Sequence, residues 1–137
     1  MGRKIQWGGI AALFALAFIL NIVWEEAHSV LYLYYKGAEI THVVLLRAAL
    51  FDAGFIAVLG VPFFSIPQFS ARQYLFLIAG FIFAVCLEWW ALGSGRWAYN
   101  ALMPIIPILG VGLTPAIQLG ITGYAAMRTV SGWTMRQ

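Results

Sequence analysis

Apolar residues run along this chain in four long stretches, separated by short polar or proline-bearing connections. The first extends from about Trp7 to Tyr32, the second from about His42 to Phe64 and the third from about Tyr74 to Leu92, while the fourth lies between Ile105 and Trp133. Each is long enough to cross the roughly 30 Å hydrocarbon layer of a bilayer as a helix. The expected fold is therefore all-α. It is a single transmembrane helical domain over residues 1–137, with about four spans at 7–32, 42–64, 74–92 and 105–133. Ser70 and Gln73 have the spacing of a capping box for the third helix. Pro62 and Pro67 fall in the connection before it, where a helix should end. Pro104, Pro107 and Pro115, with Gly110 and Gly112, predict that the last span is kinked or interrupted. Either it runs from about Ile105 with a bend, or it starts at Pro115 behind Thr114 as N-cap, since proline suits the first helical turn. In the second case the chain from Met103 to Leu113 is irregular, which a bilayer tolerates only where that chain is buried in protein or lines a cavity. Gly112, Ala116 and Gly120 recur every fourth residue, a ridge that favours close approach of a neighbouring helix.

Composition removes the soluble alternatives. The chain is 63% hydrophobic and only 9% charged, against about 25% charged in soluble domains. Lipid must replace water around most of its surface. Its net charge of +3 is dispersed, with no basic run, which argues against a nucleic-acid partner. Cys86 is the only cysteine, lies in an apolar run and reads as a small apolar filler. Gly2-Arg3-Lys4 ahead of an apolar stretch imitates a signal peptide, but the stretch is too long for a signal-peptide core and no A-x-A-type cleavage site follows. It is expected to be a retained span. With an even number of spans, Arg3, Lys4, Arg72, Arg128 and Arg136 share one side and Lys36 and Arg96 lie opposite. That bias predicts a multi-pass protein of the cytoplasmic (inner) membrane with both termini in the cytoplasm. Trp133, Tyr32, Tyr34 and Tyr35 suit the aromatic belts at the interfaces.

The acidic residues add chemistry. Glu25, Glu26, Glu39, Asp52 and Glu88 are all placed toward the outer face by this orientation. Glu25, Asp52 and Glu88 come from three different spans and reach a similar depth, with Arg47 and His28 close to the same level and Arg96 nearer the surface. Ionisable groups in a bilayer are costly, face the protein interior and are functional by default. The competing account is structural: Glu88 pairs with Arg96 and Asp52 with Arg47, as locks between helices. Asn21, Trp24, Glu25, His28 and Tyr32 follow the spacing of one helical face, from which Glu26 is rotated by about 100°. Arg47 is turned away from Asp52 and can snorkel outward. Thr114, Gln118 and Thr122 align at intervals of four and complete a polar interior, or simply bond between helices.

Glu88-Trp89-Trp90, followed by Arg96-Trp97-Ala98-Tyr99-Asn100, is the densest segment. It sets a carboxylate, an arginine, three tryptophans and a tyrosine at one mouth. Such rings beside a carboxylate can stabilise positive charge, or anchor a loop at the interface. Glu25-x-x-His28 is half of a carboxylate di-iron site, but no second copy exists. Histidines at the ends of adjacent spans, His28 and His42, are the other option for ligation, of a haem. No metal site is expected, and the residues identify no cofactor. Phosphate loops, nucleophile elbows and zinc motifs are absent from the sequence.

Asn21-x-x-Trp24-Glu25, Leu50-Phe51-Asp52, Glu88-Trp89, Gly95-Arg96-Trp97-x-Tyr99-x-x-x-Met103-Pro104 and Gly110-x-Gly112-Leu113-x-Pro115-x-x-Gln118 together resemble a group of small bacterial four-span membrane proteins. More remotely, the Trp97-x-Tyr99 stretch with its proline-rich helix is similar to membrane-bound lycopene cyclases. The Asn-x-x-Trp-Glu opening is similar to membrane terpene cyclases of fungal meroterpenoid pathways. Those enzymes protonate a lipophilic polyene with intramembrane carboxylic acids, so the resemblance implies Glu25, Asp52 and Glu88 as the acids. Pro115-Ala116-Ile117-Gln118 stands where the lycopene cyclases carry a Pro-x-Glu-Glu motif.

The expected function is acid–base chemistry on a lipophilic, isoprenoid-like substrate. Glu25, Asp52 and Glu88 are the candidate catalytic groups. Asn21, Trp24, His28, Arg47, Trp89, Arg96, Trp97, Tyr99 and Gln118 are the candidate substrate-binding groups. Four short helices enclose little volume, so a homo-oligomer or other membrane subunits are expected partners beside the bilayer and a lipophilic small molecule. The alternative is a non-catalytic accessory subunit of a larger membrane complex, its charges acting as interhelical locks.

Overall fold

Nearly uninterrupted Leu, Ile, Val, Phe and Ala leave the backbone no partner but itself in an apolar surrounding, and long helices follow. The structure, a computed structural model, describes residues 6–134; Arg3, Lys4 and Arg136 of the charge count lie outside the described residues. Helix α1 covers Trp7–His28, α2 His42–Ser65, the short α3 Pro67–Ser70, α4 Leu75–Gly93 and α5 Leu113–Thr134. Three of these segments, Trp7–Leu31, His42–Ser65 and Leu75–Gly93, are long and apolar enough to cross a membrane. Large apolar side chains such as Ile19, Val23, Leu50, Val58, Ile78 and Ile82 point outward, as lipid-facing positions do.

The helix ends follow local chemistry. Thr41 caps α2, its hydroxyl accepting the Val44 N–H at 3.4 Å. Ile66 is extended ahead of Pro67 and ends the helix. Pro62 lies inside the last turn of α2 rather than in the connection; a proline there disturbs one bond near an end already due to terminate. The expected capping box does not form, because α4 begins four residues later, at Leu75, with Tyr74 in the N-cap position. Ser70 Oγ instead donates to the Pro67 carbonyl at 2.8 Å. Gln73 Nε2 donates to Ser131 Oγ at 3.0 Å and ties the start of α4 to the end of α5.

The first span ends earlier than its apolarity suggests. A 3₁₀ turn at Ser29–Leu31 leads into an extended segment, β1 (Tyr32–Tyr35), which pairs antiparallel with β2 (Trp97–Tyr99) in the register Tyr32–Tyr99 and Tyr35–Trp97. Aromatic side chains favour this extended pairing, and Lys36 and Gly37, both left-handed, turn the chain toward α2. The fourth apolar stretch does not become helical at Ile105, and its helix is not among the three that meet the length and apolarity of a span. Residues 105–112 form a hairpin of β3 (Ile105–Ile106) and β4 (Val111–Gly112), not helix. Pro104 and Pro107 cannot donate to a helical ladder, and Gly110 takes a left-handed conformation at the turn. The helix begins at Leu113 with Pro115 in its first turn.

Successive long helices alternate in direction, so α1 and α4 finish at the end of the bundle where α2 and α5 begin. α1 packs against α2 and α5, and α4 against α5. Leu13, Ala17, Ile56, Phe76, Met127 and Val130 form a dry core in the other half of the bundle. The α4–α5 contact is made backbone to backbone. A Cβ added at Gly80 would stand 2.4 Å from the Gly120 nitrogen, and one added at Gly120 would stand 2.8 Å from the Leu77 carbonyl oxygen. Cys86, expected as filler, is exposed on the outside of α4.

Candidate functional site

The polar residues converge where α1 and α4 end. Helical spacing puts Asn21, Glu25 and His28 of α1 in one row, and Gln118 and Thr122 of α5 in another. The two rows meet. Asn21 Nδ2 donates to Thr122 Oγ1 at 3.1 Å and to its own helix at the Ala17 carbonyl, 2.8 Å away. Thr122 Oγ1 donates to the Gln118 carbonyl at 2.8 Å. Gln118 Nε2 faces three acceptors: Glu25 Oε1 at 2.7 Å, Asp52 Oδ2 at 2.8 Å and Asn21 Oδ1 at 3.0 Å. One amide nitrogen thus joins α1, α2 and α5. Asn21, Asp52, Gln118 and Thr122 are all buried.

Glu25 continues outward through its second oxygen. Its Oε2 lies 3.2 Å from His28 Nε2, and His28 Nδ1 lies 3.2 Å from Thr114 Oγ1. Asp52, Gln118, Glu25, His28 and Thr114 therefore form a continuous row of polar contacts toward the end of the bundle.

Glu88 on α4 is held from above by the β1–β2 ribbon. Tyr99 donates its hydroxyl proton to Glu88 Oε2, and Trp97 Nε1 donates to the same oxygen at 3.2 Å. The Tyr99 oxygen in turn accepts the Gly112 N–H at 2.9 Å, so the β3–β4 hairpin fixes the tyrosine that fixes Glu88. Burial and the adjacent Glu88 push the Tyr99 phenol above its ordinary range, and burial chiefly, with Glu88, does the same to Tyr32. Both remain protonated, and the Tyr99 hydroxyl is the one that donates to Glu88. The Tyr32 ring packs edge-on against His28, Trp97 and Tyr99.

Glu25, Asp52 and Glu88 line one cavity of about 330 Å³. Its walls are largely apolar or aromatic, including Leu45, Phe51, Tyr32, Tyr35, Trp90 and Trp97. Arg47 and Arg96 line it too, but neither pairs with a carboxylate. Among the described residues the ion pairs are His28–Glu25 at 3.2 Å and His42–Glu26 at 2.8 Å. The anticipated Glu88–Arg96 and Asp52–Arg47 locks do not form. The Arg96 guanidinium lies over the Trp90 ring, 4.4 Å from its centre, and Arg47 is exposed on α2. No group of three or more metal-ligating side chains occurs among the described residues.

Of the proposed binding residues, His28, Arg47, Arg96, Trp97 and Gln118 line this cavity, and Asn21 and Tyr99 support it from behind. Trp24 and Trp89 do not reach it. Trp89 is exposed, and its Nε1 anchors the β3–β4 hairpin at the Leu109 carbonyl, 2.8 Å away. Trp24 faces a shallow apolar groove between α1 and α5, its buried N–H without an acceptor among the described residues. Tyr34, Tyr35 and Trp90 are wall residues that the sequence reading did not place among the binding groups, the two tyrosines having been read as interfacial belt. The available signal was the two-residue period of Tyr32-x-Tyr34 and Trp97-x-Tyr99, which belongs to strands. No family model, curated protein or solved structure matches the chain.

Proposed function

We propose that this protein is a small integral membrane enzyme that adds a proton to, and removes one from, a lipophilic unsaturated substrate of isoprenoid type. The observation that carries the reading is the convergence of three carboxyl groups from three helices on one apolar cavity, with no arginine paired to any of them among the described residues. The Glu88–Arg96 and Asp52–Arg47 pairs on which the accessory-subunit alternative relied as locks are missing, and that alternative loses this support. Glu25 Oε1 and Asp52 Oδ2 also meet on one amide nitrogen, Gln118 Nε2, at 2.7 and 2.8 Å, and in this reading the two acids share a proton. A neutral acid of this kind is what alkene protonation needs.

In this reading Asp52 delivers the proton to a substrate carbon. The cation so formed is stabilised by the faces of Tyr32, Trp90 and Trp97. Glu88, oriented by Tyr99 and Trp97, takes a proton from the neighbouring carbon. One proton enters and one leaves, so the outcome is an isomerised or cyclised product, with no redox partner. The test is incubation of the reconstituted protein with linear polyprenyl alcohols in deuterated water. The expected product carries one solvent deuterium on carbon. Recovery of every alcohol unchanged and unlabelled would overturn the assignment.

The same proposal makes α5 a fourth span of the cytoplasmic membrane. Its 22 residues reach about 33 Å at helical rise, and its polar Gln118 and Thr122 are buried against the site rather than turned to lipid. Both termini then lie in the cytoplasm and the site in the outer half. In a Cys86→Ser background, a cysteine at Gly37 should be labelled from outside only and one at Gln137 from the cytoplasm only; the reverse pattern rejects this orientation. A second copy or another membrane subunit covers the groove that holds Trp24.

A further inference from the structure

The cavity is graded along its length. On α2, Arg47 precedes Asp52 by five residues, about 7.5 Å farther out at helical rise. On α4, Glu88 lies the same number of residues inside the helix end at Gly93, and Arg96 lies beyond that end. Both guanidinium groups therefore stand at the mouth and the carboxyl groups stand deeper. The Arg96 guanidinium carbon lies 4.4 Å from the centre of the Trp90 ring, a cation–π contact that uses no hydrogen-bond acceptor and leaves its N–H donors for a ligand. Lys36 stands at the same end, its ammonium over the Tyr35 ring at 5.5 Å. Glu26, the acid nearest this end of α1, is engaged by His42, and Glu39 does not line the cavity.

We propose that this mouth binds an oxyanion headgroup of the phosphate type, so that the substrate is a prenyl phosphate or diphosphate with its unsaturated tail in the cavity. The inference rests on the reading of the cavity as a substrate site and names the class of molecule it takes. Two arginines lining one apolar cavity at its mouth offer the donors that phosphate oxygens take, and a guanidinium can meet them two at a time. The outward displacement of the arginines keeps the anion away from Asp52 and sets the protonated carbon about 7.5 Å or more along the tail. The headgroup is a positioning device and stays attached throughout.

The test is equilibrium binding to the full chain in phosphatidylcholine nanodiscs, with geranylgeranyl diphosphate, geranylgeraniol and inorganic pyrophosphate as probes. The diphosphate should bind at least about tenfold tighter than the alcohol. Arg47→Gln and Arg96→Gln should each remove most of that preference while leaving the alcohol affinity unchanged, and Arg47→Lys and Arg96→Lys should retain part of it. Gly54→Ala, where an added Cβ meets nothing within 4 Å, should bind all three probes as the parent does. Equal affinity for diphosphate and alcohol in the parent protein overturns the inference without reference to any variant. Displacement of the diphosphate by phosphatidylglycerol in the disc at comparable affinity also overturns it, by making a bilayer phospholipid the occupant. The two readings fail separately. Solvent deuterium in a prenyl alcohol product without headgroup preference rejects the headgroup alone. Selective binding of the diphosphate with no labelled product from any probe rejects the enzyme alone.

Discussion

Gly80→Val should leave little correctly assembled protein. A Cβ at this position would lie 2.4 Å from the nitrogen and 2.5 Å from the Cα of Gly120. These are backbone atoms, so no side-chain rotation relieves the clash and α4 must move off α5. Gly120→Leu meets the same surface from the other side, 2.8 Å from the Leu77 carbonyl oxygen. Overpacking of this kind costs about 1–3 kcal/mol where side chains can yield, and more where only whole helices can. The consequence reaches the site, because Gln118 stands two residues before Gly120 and Glu88 stands on the helix being displaced. The measurement is the recovered monodisperse fraction and its thermal midpoint in detergent. Gly54→Ala is the control, since a Cβ there meets nothing within 4 Å and alanine favours helix over glycine by about 1 kcal/mol. A Gly80→Val protein as stable as the parent would mean that α4 and α5 do not meet at these glycines.

Three apolar helices were legible because the signal for a membrane helix is long and redundant. Twenty consecutive apolar residues outvote any single exception, and the boundaries of α2 and α4 fall within a residue or so of those read from hydropathy. Gly120 was legible for a related reason, as a small-residue ridge has a fixed period. What was not legible is local and short. Tyr32–Tyr35 and Trp97–Tyr99 are each too brief for a pattern, and each becomes a strand only because the other lies beside it. The same aromatic residues suited an interfacial belt equally well. Pairing of charges was misjudged because sequence depth brings Arg96 near Glu88 but does not say which way either points. In the structure tyrosine and tryptophan occupy Glu88, and the arginine lies on Trp90. Trp24 was placed on the face of Glu25 by helical spacing, and Trp89 at the mouth by the density of aromatic residues after Glu88. One residue along a helix is a turn of about 100°, enough to carry both rings off the cavity.

Asp52→Asn should abolish turnover while leaving the protein folded. The amide has nearly the shape of the acid and keeps an oxygen for the Gln118 contact, now 2.8 Å, but it cannot deliver a proton. Loss of a positioned general acid lowers rate by about 10²- to 10⁴-fold, and the solvent-deuterium assay should fall by that much. Glu25→Gln should act more mildly on stability than on rate, because it leaves the His28 and Gln118 contacts chemically possible while removing the second member of the pair that shares a proton. Glu88→Gln separates the steps. An amide at that position can no longer accept a proton from substrate, yet protonation by Asp52 survives, so label should enter the substrate cation and products formed by other routes of proton loss should appear. Tyr99→Phe supports the same assignment from a distance: it leaves Glu88 in place but loses the hydroxyl that orients it and the tie to Gly112. Its product mixture should resemble that of Glu88→Gln. Thermal midpoints decide between chemistry and scaffolding. If the carboxyl groups are locks between helices, all three amide variants should fail to assemble, since each would weaken the hydrogen bonds by which Gln118, His28, Trp97 and Tyr99 tie its helix to the others. Assembly failure in all three would end the catalytic reading. Intact assembly with turnover lost in Asp52→Asn and products redistributed in Glu88→Gln is the pattern that an acid and a base from two helices lining one cavity must give.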